Sequence, residues 1–294
     1  MSTESLRGRV ILAGGTGLIG RKLATALQEQ GYEVILLSRT PGNGKLVWDG
    51  ETVGEWASAL EGAYAVINLA GETISQKFTV NNKRHILESR VKATQAIASA
   101  IANCEVKPYW INASAVGFYG DRADEVLTEA SVVGTGFLAE TCSAWEEVPK
   151  KHVGSAIVRI GVVLDPNGGA LKPLMKLAKF FLAGPAGSGR QWMPWIHIDD
   201  LVAIFMWLVQ QRLPGIYNAV SPHPVTNREF MQTLSGLKFI PPVPAFVLVI
   251  IGKLIGPDSS LILNSCRVIP KALLDAGFEF QFSEIGVAFN DLLR

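Results

Sequence analysis

Gly14, Gly17 and Gly20 are the residues of this sequence whose type and spacing point most directly to chemistry. They lie in "AGGTGLIG" (13–20), directly after the apolar run "VILA" (10–13) and at the start of an amphipathic segment. Glycines placed between a strand and a helix allow a tight turn, close approach of the backbone to a pyrophosphate, and close packing of the helix on the sheet. The helix N-terminus then offers unpaired N–H groups to phosphates. The pattern predicts a dinucleotide-binding turn.

The end of the second apolar run indicates which dinucleotide this turn would bind. "EVILLS" (33–38) ends at Ser38, and Arg39 follows it. A carboxylate at this point would accept hydrogen bonds from the adenosine ribose and select NAD, whereas a hydroxyl and a guanidinium suit a 2′-phosphate. We therefore expect NADP(H) as the cofactor. The alternative is that Arg39 is an ordinary solvated side chain.

A third apolar run, "AVINLA" (65–70), ends in residues that fit the same site. Ala70 and the glycine after it are small enough for the backbone to approach a cofactor, and Asn68 could form a hydrogen bond with it. Strands of a parallel sheet present their carboxyl ends at one edge, where nucleotides bind. The position of this segment therefore supports the prediction made from the glycines.

The elements that must position these residues alternate between β and α patterns. Two more near-continuous apolar runs, "YWINAS" (109–114) and "AIVRIGVVL" (156–164), resemble strands buried on both faces. An amphipathic segment at 84–101 places Ile86, Ala93, Ile97 and Ile101 on one helix face. This alternation predicts an α/β fold of the Rossmann type, with a doubly wound parallel sheet.

The pattern changes after Leu164. Residues 165–195 are rich in glycine and proline, a helical pattern follows, and the tail from about residue 241 has further helical segments. We predict a Rossmann domain over residues 1–164, rejoined by about 193–221. The remainder of 165–294 would form a smaller, mainly helical C-terminal substrate lobe, and the tail from about 241 would be appended to it.

Composition excludes several classes of function. The 294 residues are 48% hydrophobic, and 27 lysines and arginines balance 26 aspartates and glutamates, so the net charge of +1 predicts no attraction to nucleic acid or to anionic membranes. Three cysteines without a CxxC pair and four histidines without ligand spacing predict no metal site. The polar start "MSTESLRGR" and the short apolar run at 245–251 predict a cytoplasmic protein without a membrane span.

Taken in order, "GGTGLIG", "NLAG", "ASAVGFYG" and "WIHIDDLV" resemble the extended short-chain dehydrogenase/reductase superfamily, of the NAD(P)-dependent epimerase/dehydratase type. "LSRTPG", "SRVKAT", "GFLAETCSAWE" and "RVIPKALLDAGFEF" are similar to its atypical branch, catalogued as epimerase family proteins. The resemblance covers nearly the whole chain. It implies an NADP-dependent oxidoreductase with a small-molecule substrate, and the fold suggests a homodimer by analogy.

The resemblance also implies roles for single residues. Gly14, Gly17 and Gly20 would hold the pyrophosphate, and Ser38 and Arg39 would meet the 2′-phosphate. The other residues implied to contact the cofactor are Thr16, Leu18 and Ile19 at the pyrophosphate, Asn68, Leu69 and Ala70 at the adenosine, and Arg84, Ser89 or Arg90 at the inner edge. For these last three, the alternative is a solvated charged helix face.

The catalytic residues of the superfamily are only partly present. Ordinary members use a serine together with a tyrosine and, four residues later, a lysine that lowers the pKa of the tyrosine. Ser114 matches the serine, but Phe137 and Thr141 occupy the expected places of the tyrosine and lysine. None of the five tyrosines has a lysine four residues later. The usual proton relay is therefore absent.

Three interpretations follow from this absence. First, Tyr119 or Glu140 could supply the proton. The alternative for Tyr119 is a structural turn residue, as in ordinary members, and the alternative for Glu140 is an ordinary surface glutamate. Second, an activated substrate such as a quinone would need no strong acid. Third, the protein could bind NADP(H) without turnover, as a sensor. A nucleotide-sugar epimerase is a further alternative. Arg190 and Trp192 could hold a planar or phosphorylated ligand, or could simply pack the lobe.

Overall fold

The computed structural model describes residues 7–179, 184–237, 239, 241–254 and 258–294. The first six residues of the polar N-terminal segment lie outside these ranges. None of the helices formed by the described residues combines the length and the apolarity that crossing a bilayer requires.

The strands in chain order are β1 Arg9–Ala13, β2 Glu33–Ser38, β3 Lys45–Val47, β4 Ala65–Asn68, β5 Tyr109–Ala115, β6 Val126–Leu127, β7 Ala156–Ile160, β8 Val162–Asp165, β9 Gly168–Gly169, β10 Trp192–Met193, β11 Trp195–His197, β12 Gly215–Ala219, β13 Val225–Thr226 and β14 Arg267–Val268. The α-helices are α1 Leu18–Glu29, α2 Val80–Ala102, α3 Phe137–Lys150, α4 Leu171–Lys179, α5 Ile198–Gln211, α6 Asn227–Ser235, α7 Ala245–Leu254, α8 Ser260–Leu263, α9 Lys271–Asp275 and α10 Ile285–Leu292.

A parallel sheet with the strand order β12-β7-β5-β4-β1-β2-β3 forms the centre of the molecule. The chain runs outward from β1 to β3 and then returns to place β4 on the other side of β1. This reversal opens a crevice at the carboxyl ends of β1 and β4, which is where open α/β sheets bind ligands. The predicted fold class, a doubly wound parallel sheet of the Rossmann type, is confirmed.

Apolar side chains bury both faces of this sheet. On one face, α1 and α5 pack against β1, with Leu23 and Phe205 fully buried. On the other face, α2 contributes Ala93, Ile97 and Ile101 to a second cluster. The face of α2 that the spacing predicted is therefore the buried one. Since water reaches neither side, the strands read as near-continuous apolar runs.

The predicted strand at 156–164 is divided at Gly161. Before the glycine, β7 belongs to the central sheet; after it, β8 pairs with β11 and β9 in a separate sheet. A Cβ atom on Gly161 would collide with the carbonyl oxygen of Pro194 and lie 2.8 Å from Val220 Cγ1. The chain thus passes between two sheets at a point too narrow for a side chain, which an apolar run alone does not reveal.

The region after Leu164 has an apolar cluster of its own. Leu171, Trp195, Phe230 and Phe289 are buried together, and they bring α4, α6 and α10 into contact. By contrast, α5 and β12 pack on or within the central sheet. This distribution supports the predicted division at residue 164 and the rejoining over 193–221, which stay predictions. The small sheets β10-β13 and β14-β6 add strands that the sequence did not indicate.

Candidate functional site

A cavity of about 500 Å³ opens at the carboxyl ends of β1, β2 and β4. Its walls come from the turn after β1, the end of β2, the loop after β3, the segment after β4 and the start of α2. The lining residues are Gly14, Thr16, Gly17, Leu37, Ser38, Arg39, Trp48, Asp49, Gly50, Glu51, Leu69, Ala70, Gly71, Glu72, His85, Glu88 and Ser89. The cavity therefore occupies the crevice created by the reversal of strand order.

The turn between β1 and α1 depends on its glycines. Gly14 has a φ of +75°, and a Cβ atom on it would lie 2.7 Å from the carbonyl carbon and oxygen of Leu69. A Cβ atom on Gly20 would lie 2.6 Å from the Cα atom of Gly15. Gly17 caps α1 without any side-chain hydrogen bond, so the first N–H groups of the helix stay open to an anion.

Not every residue expected at this turn reaches the cavity. Thr16 is exposed in it, and its carbonyl oxygen accepts a hydrogen bond from Arg21 Nη1 at 2.9 Å. Leu18 lies instead against Gly168 and Gly169, and Ile19 packs on the core. Neither side chain is among the residues that line the cavity.

Ser38 and Arg39 lie together at the end of β2 and line the cavity. Ser38 Oγ accepts a hydrogen bond from the Thr40 backbone N–H at 3.2 Å. The guanidinium of Arg39 is exposed and has no hydrogen-bond or ion-pair partner among the described residues. Of the described residues that line the cavity, it alone carries a permanent positive charge. Its position is suited to an anionic ligand.

Asn68, Leu69 and Ala70 divide their roles. Leu69 and Ala70 form cavity wall, whereas Asn68 is fully buried behind them. Its Nδ2 donates to Asn112 Oδ1 at 2.8 Å and to Thr94 Oγ1 at 3.1 Å, and its Oδ1 accepts from the Ala70 N–H at 3.0 Å. Asn68 thus holds the wall in place from inside the protein.

The three candidates on α2 occupy different surroundings. Ser89 lines the cavity and accepts a hydrogen bond from the Glu72 N–H at 3.0 Å. Arg84 is exposed, lies outside the lining set and donates to Asn81 Oδ1 at 2.9 Å. Arg90 donates to the Ile86 carbonyl oxygen at 2.9 Å and lies behind Gly71, whose added Cβ atom would be 3.1 Å from Arg90 Cζ. Burial lowers the pKa of Arg90.

The loop after β3 is the part of the site that sequence reasoning missed. Trp48, Asp49, Gly50 and Glu51 line the cavity, and Glu51 pairs with Lys92 on the neighbouring α2. Asp49 Oδ1 accepts hydrogen bonds from the backbone N–H groups of Glu51 and Thr52, both at 2.8 Å. Such a turn has no long-range pattern, so the only local signal was an aspartate followed by glycine. Glu72, His85 and Glu88 were also not predicted as lining residues.

The three proposed catalytic residues lie outside the lining set. Ser114 is buried at the end of β5, and its hydroxyl donates to Glu146 Oε1 at 2.6 Å. Tyr119 is also buried; its hydroxyl accepts from Arg159 Nη1 at 2.9 Å and donates to Asn218 Oδ1 at 2.7 Å. Burial raises the pKa of Tyr119 to about 12.

Glu146 and Arg159 form the centre of this buried network. Arg159 Nε and Nη2 donate to the two carboxylate oxygens of Glu146, each at 2.8 Å, and Lys150 Nζ lies 3.1 Å from Oε2. Burial alone would raise the pKa of Glu146, but the bidentate guanidinium outweighs it and the pKa is lowered. Glu140, the third proposed catalytic residue, is exposed in the first turn of α3.

The sequence is similar to those of known proteins over nearly its whole length. The sequence model of the NAD dependent epimerase/dehydratase family matches residues 10–141, and that of a domain of unknown function, DUF1731, matches residues 243–292. The human epimerase family protein SDR39U1 is 34% identical over 97% of this chain and 99% of its own. The Mycobacterium leprae epimerase family protein ML0860 is 36% identical over 99% of this chain and 97% of its own.

The chain belongs to the epimerase family that these relatives represent. The resemblance recognised from the motifs is thereby confirmed.

Solved structures of similar sequence share the fold. The crystal structure of human SDR39U1 (isoform 2) with NADPH has a TM-score of 0.87 and 32% identity, covering 97% of this chain and 98% of that one. The nucleoside-diphosphate sugar epimerase from Corynebacterium glutamicum has a TM-score of 0.81 and 36% identity, covering 98% of this chain and 58% of that one. One relative, the Arabidopsis thaliana SDR39U1 homolog at 33% identity over 97% of this chain and 86% of its own, is described as chloroplastic. The predicted cytoplasmic location therefore stays a prediction.

Within this epimerase-family fold, α3 packs Leu138 and Cys142 against the turn that follows β5 (116–119). A Cβ atom on Gly117 would lie 3.3 Å from Leu138 Cβ and 3.7 Å from Cys142 Sγ, and Glu146, a further turn along, holds Ser114. Phe137 packs on Phe78 instead, with ring centroids 5.0 Å apart. The face of α3 that packs toward this segment therefore consists of Leu138, Cys142 and Glu146. Neither this face nor the pair Phe137 and Thr141 provides a tyrosine or a lysine.

A histidine and two aspartates form the one group in the described parts of the chain whose ligand atoms are close enough together to hold a metal ion. Ligand atoms of His197, Asp199 and Asp291 lie within 4.8 Å of one another. His197 Nδ1 accepts a hydrogen bond from the Asp199 N–H at 3.1 Å, so the neutral ring carries its proton on Nε2, 3.3 Å from Asp291 Oδ2. That nitrogen has no lone pair to offer a cation. Burial also lowers the pKa of His197, in keeping with a neutral core histidine stacked on Phe282.

Proposed function

We propose that this protein binds NADP(H) in the cavity and acts as an NADP-dependent oxidoreductase on a small molecule. One observation carries the proposal. The open N-terminus of α1 and the unpaired guanidinium of Arg39 line the same crevice. The helix N-terminus follows β1 through the glycine turn, and Arg39 follows the neighbouring strand β2. The human relative of 32% identity that was solved with NADPH supports it.

Each part of the cofactor has matching groups in the cavity. The N–H groups that follow Gly17 would receive the pyrophosphate. Ser38 and Arg39 would bind the 2′-phosphate through charge-assisted hydrogen bonds. Leu69 and Ala70 would form the apolar wall against the adenosine. Ser89 and Arg90, on either side of the Gly71 segment, would support the inner edge, whereas the position of Arg84 on the exposed face makes it a control residue.

When bound, the nicotinamide supplies hydride transfer, and a proton must also be exchanged with the protein or with solvent. The Ser114 hydroxyl donates a hydrogen bond to Glu146, and the Tyr119 hydroxyl donates to Asn218 while it accepts from Arg159. Glu140 is exposed to solvent. We infer that the substrate accepts hydride without a strong protein acid, as an activated carbonyl or a quinone does. A nucleotide-sugar epimerase is disfavoured on the same ground, because oxidation of a carbinol requires a base.

The apolar α3 face favours a second candidate from another class. With Leu138 and Cys142 against the turn that follows β5, the protein could bind NADP(H) as a sensor without turnover. Loss of nicotinamide absorbance on adding a quinone such as menadione supports the oxidoreductase. Tight NADPH binding that is inert toward a panel of quinones and carbonyls supports the sensor. The predicted homodimer stays a prediction under both.

The proposed cofactor is tested by replacing Arg39. Arg39→Ala removes charge-assisted hydrogen bonds worth about 1.5–3 kcal/mol, so NADPH affinity should fall roughly 10- to 100-fold. NADH affinity should hardly change, since NADH has no 2′-phosphate. Arg84→Ala removes an arginine outside the cavity and serves as the matched control. Fluorescence titration with both cofactors measures the effect, and equal losses for NADPH and NADH would contradict the assignment.

A further inference from the structure

The cavity proposed for NADP(H) is lined by more negative than positive side chains, although its ligand would be an anion. Four of its lining residues are carboxylates, namely Asp49, Glu51, Glu72 and Glu88, whereas Arg39 is the one permanently charged cation in the lining. A 2′-phosphate carries roughly two negative charges near neutral pH and is repelled by nearby carboxylates. Carboxylates at this place also accept hydrogen bonds from ribose hydroxyls, which favours NAD. Some group must offset them if the phosphate is to bind.

Lys92 is placed to do so from outside the lining. It lies on α2, one turn beyond Glu88, and its Nζ is 3.3 Å from Glu88 Oε2 and 3.1 Å from Glu51 Oε2. Glu51 comes from the loop after β3, so this ammonium joins that loop to α2, two adjoining walls of the cavity. The two carboxylates raise the pKa of Lys92 through their hydrogen bonds, and the lysine stays charged at neutral pH.

The other two carboxylates are less free to change. Asp49 is held by its own turn, where it accepts from two backbone N–H groups and from the Thr52 hydroxyl, and these bonds lower its pKa. The Glu72 carboxylate interacts electrostatically with Arg90, and its backbone N–H donates to Ser89 Oγ at 3.0 Å. Glu51 and Glu88 are the two lining carboxylates that share Lys92 as their cation.

We propose that Lys92 favours binding of NADPH over NADH in this cavity by offsetting one of the two negative charges of Glu51 and Glu88. This inference rests on the proposed function. With Lys92 present, the Glu51–Glu88 pair carries one uncompensated negative charge instead of two, so the guanidinium of Arg39 is more available for a 2′-phosphate. Without Lys92, two uncompensated carboxylates repel the phosphate and compete for Arg39, whereas the ribose of NADH meets hydrogen-bond acceptors instead.

The test is a titration of Lys92→Met with NADPH and with NADH. We expect the NADPH dissociation constant to rise roughly three- to five-fold, as for loss of an exposed charge pair, and that for NADH to stay unchanged or fall. The change should shrink in about 1 M salt, where the Debye length is about 3 Å. Adding Glu51→Gln and Glu88→Gln to Lys92→Met should restore the NADPH preference.

Lys271→Met is the matched control, because Lys271 is an exposed lysine paired with Asp275 at 2.8 Å, on α9 and outside the cavity. Equal weakening of both cofactors in Lys92→Met would mean that Lys92 only supports the wall and would overturn the inference. An unchanged ratio, or failure of the glutamine changes to restore it, would do the same. If the unaltered protein binds NADPH, these outcomes leave the proposed function standing; if it binds neither cofactor, both proposals fail.

Discussion

Replacing Gly14 by alanine is the sharpest test of how the turn after β1 builds the cavity. The added Cβ atom would lie 2.7 Å from both the carbonyl carbon and the carbonyl oxygen of Leu69, a distance that real side chains do not tolerate. The obstacle is backbone, so no rotamer change relieves it. Either the turn or the Leu69 segment must move, and both line the cavity.

The cost has two parts. Gly14 has a φ of +75°, and a residue with a Cβ atom in this region costs about 1–2 kcal/mol. Forcing extra volume into a packed site costs about 1–3 kcal/mol more. We expect Gly14→Ala to lower the free energy of unfolding by about 2–5 kcal/mol. Gly31→Ala is the matched control, because Gly31 has a φ of +82° and no atom within 4 Å of an added Cβ. It should lose only the first part.

Urea unfolding followed by tryptophan fluorescence would measure both variants, and a parallel NADPH titration would report on the cavity. Gly14→Ala should also lose NADPH affinity by about ten-fold or more, since the first N–H groups of α1 shift with the turn. Gly31→Ala, at the far end of α1, should bind like the unaltered protein. If Gly14→Ala is as stable as Gly31→Ala and binds NADPH normally, the argument from close approach is refuted.

Three further predictions concern the buried polar groups. Glu146→Ala should cost about 3–5 kcal/mol in urea unfolding because Arg159 is left buried without its partner, whereas Glu147→Ala, whose contact with Lys151 is exposed and 4.0 Å long, should cost at most about 1 kcal/mol. Because the pKa of Glu146 is lowered from 4.5 in the folded state, its contribution is complete above about pH 4.5 and is lost as the pH falls through the lowered value; acid unfolding of Glu146→Gln should therefore lack this component. Asn68→Ala removes the side chain that holds the cavity wall, so it should cost about 1–3 kcal/mol and weaken NADPH binding, and a variant that is destabilised without weaker binding would contradict this role.

Local pattern alone was sufficient for five of the seven strands of the central sheet, though not for β3 or β12, and for the turn after β1. Strands buried on both faces must be apolar at every position, and a helix packed on one face must be apolar at every third or fourth position. The segment 10–13 of β1, which is buried throughout, and the buried face of α2 therefore followed from the sequence. Gly14 and Gly20 were recognisable for the same reason, since a strand and a helix can meet this closely only where side chains are missing.

Tertiary structure decided the remaining features, because they depend on what lies across a gap. An apolar run at 156–164 does not show that Gly161 packs against the Pro194 carbonyl, and the loop holding Glu51 has no periodicity that would predict its position next to Glu88. Whether the Ser114 hydroxyl faces a substrate or the interior depends on Glu146, thirty-two positions away in the chain. The types of groups near the cofactor cavity were readable from the sequence, but their partners, and hence their charge and availability, were set by packing between distant segments.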